Sequence, residues 1–151
     1  MATNLSISTI PADTTETVPA SESVTATITA ASGSEVFTLS AATDNLRKFD
    51  WIVDKTNEEV YQISEINGTV GKIVGTFADA LSAATVSKIR DKDTRVKSVN
   101  LTISGANCSI NQGAVAAGTK SFNSDNVGRF LEPIMVKNGA TTTVQVDLTK
   151  F

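Results

Sequence analysis

From Ser23 the chain alternates between apolar and polar positions with period two. In SVTATITA, Val24, Ala26, Ile28 and Ala30 fall on one face and Thr25, Thr27 and Thr29 on the other. That is the pattern of a half-buried strand with a threonine row toward water. VNLTI repeats it with Val99, Leu101 and Ile103 inward, and TTTVQVDLT with Val144, Val146 and Leu148 inward. Turn chemistry separates such runs at Ser32-Gly33-Ser34, Lys55 to Glu58, Asn67-Gly68, Asn111-Gln112-Gly113 and Asn138-Gly139. Only FADALSAATV, residues 77–86, suggests helix, for one or two turns. The expectation is an all-β fold, a β-sandwich or barrel-like domain.

Order along the chain suggests how that fold is divided. Residues 1–22 hold two of the three prolines and many Thr and Ser, so Pro11 and Pro19 stop any long strand there. The reading is an extended N-terminal arm, followed by a first β-unit over 23–90, a connection over 91–97 and a second β-unit over 98–151. Three short matches recur in the same order and suggest that the two units are related. Ser23 to Ile28 matches Ser98 to Ile103, Asp44 to Phe49 matches Asp125 to Phe130, and Tyr61-Gln62-Ile63 matches Val144-Gln145-Val146. In each copy an Asx-led turn leads into a strand, and its closing aromatic, Phe49 or Phe130, is expected to plug a sheet edge.

The sole Trp and Tyr flank the turn KTNE in the first copy. Trp51 and Tyr61 are therefore expected on adjacent antiparallel strands, in cross-strand or diagonal contact. The pair reads either as a local mini-core or as a ligand-stacking platform.

Composition narrows the function. Hydrophobic residues make up 40% of the chain, but aromatics only 5% and charged residues 19%. Val, Ile, Leu and Ala suit thin sheets better than a cofactor pocket. The net charge of −3 is uneven: residues 1–46 hold five acidic side chains and no basic one, leaving +2 on the remainder. The two signs either attract one another or merely keep the Ser/Thr-rich front soluble. The densest basic stretch, Lys88, Arg90, Lys92, Arg95 and Lys97, reads as a solvated connection or as a docking patch for an acidic partner. Neither a nucleic-acid surface nor a membrane span of about 20 apolar residues is visible. No cationic and apolar leader is seen, so synthesis in a bacterial cytoplasm is expected.

The chain has no histidine and one cysteine, which removes Ser-His and Cys-His pairs, His-ligated zinc and any internal disulfide. Cys108 reads as a buried space-filler. Asp91-Lys92-Asp93 begins like a calcium loop, but Val96 and Thr102 stand where its glycine and glutamate belong. Glu58 and Glu59, being adjacent on an extended chain, point to opposite faces. No catalytic, cofactor-binding or metal-binding residue is expected.

Several stretches together resemble a β-module of structural proteins in tailed bacteriophages. They are Phe37, DNLRKFDWIVD, EEVYQISEINGTVGKIV and LSAATV, with Phe122 and Asn126-Val127-Gly128-Arg129-Phe130 in the second copy. The first copy departs at Arg47, where the module has glycine. The resemblance implies a non-enzymatic virion protein. The expectation is an auxiliary or decoration protein of the capsid, with a neck, collar or tail component as the alternative. Its partners would be other copies of the chain and other virion proteins, such as the major capsid protein or neck and tail proteins. A carbohydrate-binding or adhesive module is the rival from another class. The contact residues expected from the arm and the basic stretch are Leu5, Ile7, Ile10, Arg90, Lys92 and Arg95.

Overall fold

The computed structural model describes residues 8–43, 45–124, 132–139 and 143–150. Its elements are strands with one single-turn 3-10 helix, and every strand pairing is antiparallel. The chain forms two compact units, and one interrupts the other. A terminal unit is made of residues 1–21 and 91–151, and an inserted unit of residues 22–90.

In chain order the terminal unit first supplies β1 (Thr9–Ile10) and β2 (Thr14–Val18). The inserted unit contributes β3 (Glu22–Ser23), β4 (Ile28–Ala30), β5 (Val36–Leu39), β6 (Trp51–Asp54) and β7 (Glu59–Asn67). It continues with β8 (Val70–Ile73), β9 (Leu81–Ala84) and β10 (Ser87–Ile89). After the helix at Asp91–Thr94 come β11 (Val96–Ile103), β12 (Cys108–Ile110) and β13 (Gly113–Val115). The terminal unit closes with β14 (Gly118–Asn123), β15 (Ile134–Asn138) and β16 (Val144–Lys150).

The terminal unit is a sandwich of two four-stranded sheets, ordered β1-β16-β11-β14 and β13-β12-β15-β2. Their inward side chains meet in one core: Val99, Leu101, Ile103 and Val144 from one sheet, Val18, Ile110, Ile134 and Val136 from the other. The period-two pattern of VNLTI is realised from Val99 to Ile103 in β11, after a register shift between Val96 and Ser98. In TTTVQVDLT, Val144 is buried, while Val146 and Leu148 pack against the core from its margin. Burial raises the pKa of the Cys108 thiol above its ordinary value, and the side chain fills core space.

Residues 9–18 are extended, but they are not an arm. β1 pairs with β16, β2 pairs with β15 over five residues, and Ile10 and Val18 are core residues. Asn138 donates its side-chain N–H to the Ile10 carbonyl at 2.9 Å. Pro11 ends one strand and a turn at Asp13 (φ 58°) precedes the next, so Pro11 divides the segment between two sheets, and Pro19 follows the second strand. The stretch 91–97 likewise belongs to the unit, as the 3-10 helix and the start of β11.

The inserted unit is one eight-stranded sheet, ordered β3-β10-β6-β7-β8-β5-β4-β9. Ile28, Phe37, Ile52, Tyr61, Ile63, Ile73, Phe77 and Leu81 meet in a single cluster, so the sheet rolls around its own contents. Phe77 centres that core, with ring centroids 4.6 Å from Tyr61 and 6.3 Å from Phe37. Val24, Ala26, Ile28 and Ala30 are all buried as their alternation predicts, although only Ile28–Ala30 is regular strand.

Two local expectations fail here. FADALSAATV is not helical: Phe77 and Leu81 are drawn into the core, and Leu81–Ala84 becomes an edge strand on β4. The Thr29 hydroxyl accepts the Ala83 N–H at 3.1 Å, and tertiary pairing overrides alanine's helix propensity. Trp51 and Tyr61 do lie on neighbouring strands, but Trp51 stands opposite Gln62 and Tyr61 opposite Ile52. They therefore face opposite sides of the sheet. Tyr61 belongs to the core, its hydroxyl accepting the Ala78 N–H at 3.1 Å, and Trp51 does not join it.

The proposed duplication is not matched by a shared architecture. β11 is one continuous strand, whereas its counterpart Ser23 to Ile28 spans the end of β3, an irregular stretch and the start of β4. Asp44 and residues 125–130 lie outside the described residues, and so do Leu5 and Ile7.

Candidate functional site

The residues expected to make contacts separate into different environments. Ile10 is fully buried in the terminal unit and is unavailable to a partner. Arg90 is spent on an ion pair with Asp50, whose carboxylate is almost wholly buried. Its neighbour Lys88 is buried as well and pairs with Glu22 at 3.5 Å. Alternation along β10 turns Lys88 to the side opposite Ser87 and Ile89, and Arg90 follows directly after the strand. Lys92 and Arg95 are exposed, on and just after the 3-10 helix. The five basic residues thus do not make one docking patch. The Glu22–Lys88 pair, with Lys72–Glu35, also shows part of the acidic front meeting the basic body inside the inserted unit.

A different surface carries the exposed apolar area. Among the described residues the large hydrophobic side chains left in water are Val36 (37% exposed), Phe49 (50%), Val70 (49%) and Val74 (63%), all in the inserted unit. Their positions follow from pairing. Phe37 sits opposite Gly71, with its ring in the core over the glycine, so Val36 and Val70 are turned outward. A Cβ on Gly71 would stand 2.3 Å from Phe37 Cζ, and only glycine leaves the room. On the outward side Val36 and Val70 face a groove of about 590 Å³ bordered by Glu65, Asn67 and Lys72. Ile66 and Gly71 pass along it, but Ile66 pairs with Gly71 and packs its side chain against the core. Lys72 Nζ lies 3.8 Å from a carboxylate oxygen of both Glu35 and Glu65. These pairs are solvent-exposed and add little stability. Their trio leaves one net negative charge beside the groove.

Phe49 reaches its exposed position in another way. Its φ is 74°, a left-handed conformation that a bulky residue adopts at a cost of about 1–3 kcal/mol. The surrounding turn over-determines that conformation. Arg47 N–H donates to the Asp50 carboxylate at 2.9 Å and Asp50 N–H returns to the Arg47 carbonyl at 3.1 Å. Phe49 N–H donates to the Ile63 carbonyl at 2.8 Å, and the Gln62 side chain donates to the Phe49 carbonyl at 3.2 Å. Burial raises the Asp50 pKa above the ordinary 3.8, against the opposing pull of the Arg47 N–H, Arg90 and Lys88. Buried Leu46 pins the start of the turn. Phe49 therefore does not plug a sheet edge. It projects with Lys48 Nζ 4.9 Å from its ring centre, and Arg47 is exposed beside them.

The remaining chemistry is sparse. No group of three or more His, Cys, Asp or Glu stands together to hold a metal ion among the described residues. Asp91 and Asp93 lie within the single 3-10 turn, where the Thr94 hydroxyl donates to the Asp91 carbonyl at 2.6 Å. No described helix is long and apolar enough to cross a membrane. Neither a protein-family model, nor a curated protein, nor a solved structure matches the chain.

Proposed function

We propose that the chain is a non-enzymatic structural protein of a tailed-phage particle, an auxiliary or decoration protein of the capsid that works through repeated subunit contacts. One observation supports a contact role above all: the inserted unit holds Val36, Phe49, Val70 and Val74 in water although its own core is complete without them. Exposed apolar area grouped on one module is the usual mark of a surface that another protein covers. Most stretches that carry the phage-module resemblance, within residues 37–86, fall in this same unit, and the rest, Phe122 and residues 126–130, in the terminal unit. Many identical weak contacts then sum to firm attachment, because each later contact forms within an object already assembled.

Residues 9–18 play no part in this mechanism as a free arm, since they are strands of the terminal unit. The carbohydrate-binding alternative loses its platform, because Trp51 and Tyr61 face opposite sides of one sheet. A neck, collar or tail position uses the same surface and differs only in the partner.

Protein mass spectrometry of purified particles of the phage that encodes the chain tests the proposal. The chain should be present at a fixed ratio to the major capsid protein. A V70K,V74K variant should fold, give an unchanged circular dichroism spectrum, and be missing from the particles. Particles that lack the wild-type chain overturn the proposal.

A further inference from the structure

We infer that Phe49 of one copy inserts into the Val36–Val70 groove of a second copy, joining copies of this chain head to tail. The inference deepens the proposed contact role and rests on it, since it names the occupant of the outward face.

Three observations carry it. First, the turn at residues 46–50 spends a buried carboxylate, a buttressing arginine and a left-handed residue to hold a phenyl ring out in water. A strained conformation held this firmly is found where the strain serves a purpose, and rigid aromatic knobs are the commonest anchors of protein contacts. Second, the same unit offers a groove of about 590 Å³ with the Val36 and Val70 side chains facing it, roomy enough for one phenyl ring. Third, the charges match. Arg47 and Lys48 flank the ring, and the groove's border carries one net negative charge from Glu35, Glu65 and Lys72.

The geometry also sets the symmetry. Phe49 is not among the groove's lining residues, so knob and groove are separate patches of one unit. A contact between separate patches is heterologous, and it builds a ring if the rotation closes or an open row if it does not. Either form leaves every interior copy with one groove filled and one knob buried. Like charges do not meet, because each cationic knob approaches an anionic border.

The experiment is size-exclusion chromatography with light scattering on the full chain. Wild type should grow beyond the mass of a dimer as concentration rises. F49A, which keeps its groove, and V70K, which keeps its knob, should each run as single chains with unchanged circular dichroism spectra. Self-association should weaken at least about tenfold in each. An equimolar mixture of the two should recover one good contact and stop at a dimer. A wild type that stays a single chain at every concentration overturns the inference, as does an F49A variant that assembles like wild type. A mixture that stays monomeric overturns it too. If F49A is lost from phage particles while wild type is monomeric, the knob docks on another virion protein and the second-copy assignment is wrong, but the contact role stands. If wild type assembles yet never enters particles, the phage assignment fails and the self-contact stands.

Discussion

At Phe49 the backbone, not the side-chain pattern, decides where an aromatic residue points. A run of extended residues up to Trp51 would carry the ring toward a sheet edge, which is how the sequence reads. The left-handed φ of 74° turns it out instead. Nothing in the residue type announces a positive φ at phenylalanine. The flanking Arg47 and Lys48 were the only signal that the turn tip is wet. Replacing Phe49 by Gly should relieve this conformation. Glycine's extra unfolded-state freedom costs about 0.5–1 kcal/mol, set against about 1–2 kcal/mol for a left-handed L-residue. F49G should therefore be more stable than wild type by up to about 1.5 kcal/mol and melt slightly higher. A lower melting temperature would show that the ring supports the turn it sits on. Gly71 makes the opposite case. A Cβ there would overlap the fully buried ring of Phe37. G71A should lose about 1–3 kcal/mol by overpacking, measured by urea unfolding; an unchanged midpoint would mean that the Phe37–Gly71 contact is loose.

Whole strands were easier to read than their partners. The inward residues of β4, β11 and β16 follow from alternation alone, because a sheet with one buried face must repeat every second residue. The placement of Trp51 and Tyr61 was legible too, once the turn is counted. Four residues, Lys55 to Glu58, pair Asp54 with Glu59, and stepping back along both strands sets Trp51 opposite Gln62. One residue of register separates that from a Trp–Tyr contact and puts the rings on opposite faces. What a strand pairs with over long range was not legible. β2 finds β15 more than a hundred residues away, and no local signal in TTETV tells an integral strand from a loose arm. The difference is testable. Deleting residues 1–22 would leave an intact fold if they were an arm. Here the deletion removes Ile10 and Val18 from the core, at about 1.5–3 kcal/mol each for burial alone. It also removes the five-residue pairing with β15. The terminal unit should lose its dispersed amide NMR signals. Retention of a wild-type spectrum would refute the strand assignment.

On the scale of the molecule, the chain leaves the terminal unit at residue 21 and re-enters it at residue 91. All members of the inserted unit's core lie between Val24 and Val86, so residues 22–90 carry their own packing. The basic stretch that spans residue 90 therefore could not act as a single patch. Lys88 and Arg90 are consumed by Glu22 and Asp50 before the chain crosses into the terminal unit. Composition indicated a protein built for contact area and without reactive constellations. It could not show which surface is apolar, because exposure of a valine depends on which strand face is already covered. Val36, Val70 and Val74 stand outward only because Phe37 and Ile73 fill the inside of the same strands.

The most direct measurement of that contact face is hydroxyl-radical footprinting of the chain free in solution and in phage particles. The account predicts strong oxidation of Phe49, Val70 and Val74 in the free protein, diluted until it runs as a single chain, and clear protection of all three in the particle, with Lys92 and Arg95 serving as exposed references in the terminal unit. Equal oxidation of the three side chains in both states would contradict it.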